Sequence, residues 1–134
     1  MNEVSPELKE ELEHSPFPTF LGFRLLEVRR GYARASVKLQ AHHANFIGTA
    51  DGALIMSLAD YVAAVASRTL GRSVGIQFSI NMLRPASIGS ELFAECRIVH
   101  PGRTVQVGDV TVTDDRGRTI ARATGTSLSQ PDRA

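Results

Sequence analysis

From Gly52 to Ala66 the chain is apolar except at Gly52, Ser57 and Asp60. The run reads as one long helix, Gly52 to Ser67, and a helix apolar on all sides is buried on all sides. At 134 residues the chain is expected to be a single domain spanning 1–134, so the enclosure must come from its own flanking segments. Asp51 stands immediately before the run, where a carboxylate accepts hydrogen bonds from the first unpaired amides of a helix.

The flanking segments alternate as strands do. Ala33, Ala35, Val37 and Leu39 fall on one face of Tyr32–Leu39, opposite Arg34, Ser36 and Lys38. Arg30-Gly31 reads as the hairpin turn from a preceding strand, Phe23–Arg29. Beyond the helix come Val74–Leu83, Glu91–His100, Thr104–Thr113 and Thr119–Thr126, with Pro101-Gly102 and Asp114-Asp115-Arg116-Gly117 as turns. The apolar face of Val105–Val112 switches near Gly108, which predicts a bulge there. A short charged helix is expected from Ser5-Pro6 to His14, broken by Pro16 and Pro18, with apolar Phe17 to Phe20 tucked back against the core. Two strands, a helix and four strands make an α+β fold: one principal helix enclosed by one curved antiparallel sheet.

Charge and composition exclude several functions. A net charge of +1 provides no basic field for nucleic acid. The single cysteine, Cys96, permits neither an internal disulfide nor a cysteine-rich zinc site. It falls on the apolar face of its strand and reads as core. No apolar stretch is long enough to span a bilayer, no signal peptide is visible, and a cytoplasmic protein is expected. No metal or redox cofactor is expected.

Asp60 is the anomaly. An ionised carboxylate in a dry interior is costly unless paired or hydrogen-bonded. Two readings are open: a structural Asp held by a Ser, Thr or Arg from a strand, or a carboxylate lining a pocket as general base or nucleophile.

The run Asn45-Phe46-Ile47-Gly48-Thr49-Ala50-Asp51-Gly52-Ala53, followed by Leu58-Ala59-Asp60, resembles the signature of the hotdog-fold thioesterases. Those of the phenylacetate-pathway and 4-hydroxybenzoyl-CoA types are most similar. Ser79-Ile80-Asn81-Met82-Leu83-Arg84-Pro85-Ala86 resembles the family's strand ending in Arg-Pro-Ala, and His100-Pro101-Gly102-Arg103-Thr104 its turn into the next strand. The resemblance runs from about Phe20 to Ser127. It implies a curved six-stranded antiparallel sheet around the central helix, and hydrolysis of acyl-CoA or aryl-CoA thioesters. Asp60 falls on the catalytic acid, and Gly52 on the amide that holds the thioester oxygen at the helix N-terminus. Asn45 matches an Asn that orders this region. Arg84 and Arg103 are candidates for the phosphates of coenzyme A, and His43 for the mouth of the site.

Two positions depart from the family pattern. Asp51 stands where the family usually has His, and Ala53 replaces a Gly. Gly75 lies near the place where some relatives have Ser or Thr to orient water. These departures leave a second reading, a non-catalytic hotdog protein that binds acyl-CoA or another hydrophobic ligand. Gly52 and Asp60 are eight residues apart on one helix, about 12 Å along its axis at ~1.5 Å per residue. If both serve one carbonyl they come from different subunits, which implies a homodimer, or a dimer of dimers, with sites at the interface.

Overall fold

The computed structural model describes residues 3–131. Helix α1 spans Pro6–Glu13, with Ser5 Oγ accepting from Leu8 N at its start. A second short helix, α2, spans Pro16–Phe20. The two prolines do not prevent it, because first-turn amides have no intrahelical partner to lose. Phe17 and Phe20 are 61% and 80% exposed, so this segment does not tuck into the core as expected.

Strands β1 (Arg24–Arg29) and β2 (Tyr32–Lys38) form a hairpin through Gly31, whose φ of 73° suits the turn. A 3-10 turn, Ala41–His43, leads to the central helix α3 (Gly52–Arg68). Then follow β3 (Ser73–Met82), β4 (Glu91–Pro101), β5 (Val105–Asp114) and β6 (Thr119–Ser129). The six strands form one antiparallel sheet in the order β1-β2-β4-β5-β6-β3. This is the hotdog arrangement, with β3 as a free edge.

Residues of period two on the strands meet the helix. Val37, Leu92, Val110 and Val112 face Leu58, Val62 and Val65 in one core, all 2% exposed or less. Burying each Leu or Val contributes roughly 1.5–3 kcal/mol. Ala33, Ala35 and Ala94 on the sheet, with Ala59 and Ala66 on α3, are also buried in this core. Cys96 is fully buried there, and burial pushes its thiol up to about 12.

Two expectations are corrected. Strand β5 keeps one alternation throughout: Gln106, Gly108, Val110, Val112 and Asp114 all point inward. The apparent switch arises because inward position 106 is polar, while Val105 and Val107 lie on the other face. The irregularity sits in β4, where Val99 is the extra residue opposite Val107 and Gly108. A Cβ at Gly108 would meet Cys96 Sγ at 2.7 Å, so this glycine makes room for its neighbour.

The second correction concerns α3, which is not enclosed on every side. It packs mainly on β2, β4 and β5, away from the β3 edge. Gly52, Met56, Asp60 and Ala64, spaced four apart, form an open stripe along it. Among the described residues no helix is long and apolar enough to cross a membrane.

Candidate active site

The open stripe of α3 and the free strand β3 bound two grooves. The larger, about 440 Å³, is lined by Met56, Asp60, Ala63 and Ala64 from the helix and by Gly75, Ile76, Gln77 and Phe78 from β3. Its floor includes Gly108 and Gly125, directly paired across β5 and β6. A Cβ at Gly125 would come within 3.1 Å of the Phe78 ring. Glycines inside strands often mark such a close approach. In sequence, Gly108 suggested a bulge; its partnership with Gly125 appears only once the register is known.

Asp60 opens into this groove. Among the described residues, no donor is hydrogen-bonded to its carboxylate and no cation is paired with it. The Ser, Thr or Arg that would have made it a structural acid is therefore not there. The side chain reaches solvent at the groove mouth, yet burial among the walls raises its pKa above the usual carboxylate value. The sign for stability follows. The raised pKa means that folding favours the protonated form, so stability is lost as pH climbs from the unfolded-state pKa through the folded one. Asp60→Asn is expected to raise the melting temperature at neutral pH. The gain should vanish below the carboxylate range, which thermal unfolding at several pH values would check.

The smaller groove, about 310 Å³, lies at the other end of β3 and collects Asn45, Thr49, Gly52, Ile55, Met82 and Arg84. The start of α3 explains what it offers. Asp51 caps the helix, its carboxylate accepting from Ala53 N at 2.8 Å, and its carbonyl accepts from Leu54 N and Ile55 N. That leaves the Gly52 N–H as the first-turn amide without a partner among the described residues. The Asp51 side chain lines a separate groove with Phe17, Leu21 and His42. Its negative charge is thus held against the helix start, in a different groove from the one that contains Gly52.

Asn45 orders the loop before the helix. Its Oδ1 accepts from the amides of Ile47, Gly48 and Thr49, and its Nδ2 donates to Thr49 Oγ1 at 3.1 Å. His43 does not line the mouth of the Asp60 site. It is 4% exposed; Nδ1 accepts from Gln40 N at 2.9 Å and Nε2 donates to the Leu21 carbonyl at 2.8 Å. With both ring nitrogens engaged, it fastens the segment after α2 to the loop before α3.

Arg84 is exposed beside Gly52 and makes no ion pair among the described residues. Arg103 sits on the β4–β5 turn, where its carbonyl accepts from Ser129 Oγ. The Arg84 amide bonds to the Ile120 carbonyl at the opposite end of β6. Nine strand residues separate these anchor points, about 30 Å at ~3.4 Å each. One chain therefore does not bring both arginines to one phosphate. Gly75 lies in the Asp60 groove as expected from its position, and the polar side chains near it are Ser73 and Gln77. No group of three or more His, Cys, Asp or Glu among the described residues is placed to hold a metal.

The model of the thioesterase superfamily matches residues 47–121, more than half of the chain. The chain belongs to the thioesterase superfamily. Thioester hydrolysis is accordingly its class of reaction. The acyl-coenzyme A thioesterase PaaI of Escherichia coli is 28% identical over 108 residues, 80% of this chain and 77% of that protein. The structure of TT0310 protein from Thermus thermophilus superposes with a TM-score of 0.85 at 31% identity, covering 87% of this chain and 99% of that one. The structure of smu.793 from Streptococcus mutans UA159 bound to acetyl CoA superposes with a TM-score of 0.80 at 32% identity, over 84% and 91% of the two chains. Within this superfamily the motif residues Asn45, Gly52 and Asp60 lie on the two grooves along β3.

Proposed function

We propose that this protein hydrolyses acyl-CoA or aryl-CoA thioesters to the free acid and coenzyme A, at two equal sites shared by a homodimer. The observation that carries the reading is the pair of unpartnered groups along one edge. One is a carboxylate with nothing bonded to it, and the other is a helix-start amide with no acceptor. In this reading the Gly52 N–H and the positive end of the helix dipole receive the thioester oxygen as it gains charge. The Asp60 carboxylate activates a water or attacks the carbonyl carbon directly. Collapse of the tetrahedral intermediate breaks the C–S bond, releasing coenzyme A as the thiol once its sulfur is protonated. In the direct route, water then hydrolyses the mixed anhydride.

Geometry argues for the shared site. The two grooves occupy opposite ends of β3, and one helix holds Gly52 and Asp60 about 12 Å apart at ~1.5 Å per residue. An antiparallel pairing of two β3 edges across a two-fold axis sets the Gly52 end of one copy beside the Asp60 end of the other. The same operation draws Arg84 of one subunit toward the end that carries Arg103 in its partner, which offers the phosphates of coenzyme A a pair of guanidiniums. The edge also carries the apolar surface an interface buries: Val74, Ile76, Met82 and Leu83 are 49%, 55%, 45% and 59% exposed.

Thiol release across a panel of acyl-CoAs tests the reading. Turnover above the uncatalysed rate with at least one aliphatic or aryl thioester is expected. Tight binding of the whole panel with no thiol release would favour a carrier of acyl-CoA instead.

A further inference from the structure

The Asp60 groove ends on polar ground. Ser67 and Ser127 line it, are 5% and 7% exposed, and share a hydrogen bond of 2.6 Å. Behind them Gln106, 3% exposed, fixes the direction of the whole chain of bonds. Its Nε2 donates both hydrogens, to the Gly102 carbonyl at 2.7 Å and to Ser129 Oγ at 2.7 Å. Ser129 Oγ in turn donates to the Arg103 carbonyl. The amide oxygen of Gln106 must therefore accept, and it receives the Ser127 hydroxyl hydrogen at 3.0 Å. Ser127 has then spent its only hydrogen, so the short bond to Ser67 is donated by Ser67. A hydroxyl carries one donor and two acceptor sites. Ser67 Oγ is left at the groove with lone pairs to offer and no hydrogen to give.

Ser67 and Asp60 lie two turns apart on the same face of α3. Seven residues span about 10.5 Å at ~1.5 Å each, the length of a medium-chain acyl group of about eight carbons. The walls between them are apolar: Ala63, Ala64, Ile76 and Phe78. An acyl group whose carbonyl sits at Asp60 and whose body runs along these walls ends at Ser67.

We propose that this groove selects acyl groups whose far end carries a hydrogen-bond donor, a hydroxyl above all, and that Ser67 Oγ reads it as an obligate acceptor. The proposal rests on the thioesterase reading only in placing the carbonyl at Asp60. A keto group of the same size offers a second acceptor to an acceptor and is rejected, because a site built for one bonding pattern leaves its groups unpaired with another.

The test is calorimetric binding of three non-hydrolysable thioether analogues of coenzyme A: octyl, 8-hydroxyoctyl and 7-oxo-octyl. The hydroxyl analogue is expected to bind about tenfold more tightly than the octyl one, and the oxo analogue no better than octyl. In Ser67→Ala the hydroxyl preference should collapse. In Ser127→Ala the Ser67 hydrogen is released from its acceptor, and the oxo analogue should gain. Equal binding of all three by the wild-type protein, which involves no variant, would overturn the proposal. A hydroxyl preference without hydrolysis of the matching thioesters would leave the groove assignment standing and remove the thioesterase reading instead.

Discussion

Asp60→Asn is expected to lower kcat/KM for acyl-CoA hydrolysis by about 10²–10⁴-fold, the usual weight of a positioned general base. The substitution preserves shape and removes only the charge. No hydrogen bond or ion pair to the carboxylate is lost with it among the described residues. An inactive variant that unfolds at the same or a higher temperature than wild type therefore separates chemistry from folding. Because burial raises the Asp60 pKa and the ionised form does the work, wild-type kcat/KM should climb with pH through a midpoint above the ordinary carboxylate range. The residual activity of the variant should show no such limb. Full turnover by the variant would remove Asp60 from the reaction.

The second large effect comes from one hydrogen atom at Gly52. Gly52→Pro is expected to cost about 10²–10³ in kcat, the range for losing one oxyanion donor. Proline is normally a destructive change in a helix, but Gly52 is the first helical residue, where a missing N–H breaks no helix bond. Asp51 precedes it at φ −62° and ψ 139°, the extended backbone that a residue before proline adopts. Gly52→Ala is the matched control, since it keeps the N–H and its Cβ meets nothing closer than Met82 Cε at 3.7 Å. Steady-state kinetics of the two variants should diverge while their unfolding midpoints stay close. Equal activities would mean that the amide holds no oxyanion.

What could be read from the sequence followed from short-range physics. The alternation of Ala33, Ala35, Val37 and Leu39 located a strand, and the apolar run after Asp51 located the helix, because burial dictates period. The acid at Asp60 stood out for the same reason. Three features depended on which element lies beside which. The openness of α3 along Gly52, Met56, Asp60 and Ala64 arises because the helix packs toward β2 and β4, which no local pattern encodes. His43 read as a loop residue near the site because its partners, Gln40 N and the Leu21 carbonyl, become neighbours only when the N-terminal segment folds back. Ser67, Ser127 and Gln106 carried no signal singly, since each is an ordinary polar residue on its own element. Pro16 and Pro18 misled in the other direction, being compatible with a helix one turn long.

The departure at Asp51 also changes meaning. An aspartate where the family usually has histidine suggested charge repulsion at the oxyanion. Its carboxylate instead accepts from Ala53 N and lines the groove of Phe17 and His42. The cap consumes one first-turn amide, and its carbonyl consumes two more, so the Gly52 amide stands alone. A site with a single donor makes the Gly52→Pro effect a direct reading of that donor.

The central claim is that each site takes Asp60 from one subunit and Gly52 from the other. Co-expressing Asp60→Ala and Gly52→Pro chains carrying different affinity tags, and purifying the mixed dimer through both, tests it directly. In the mixed dimer one site combines both defects and the other has neither. A random mixture should therefore recover about a quarter of wild-type activity, and the purified mixed dimer about half, from two inactive parents. Thiol release by the mixed dimer no faster than that of the two parent variants would contradict the shared site.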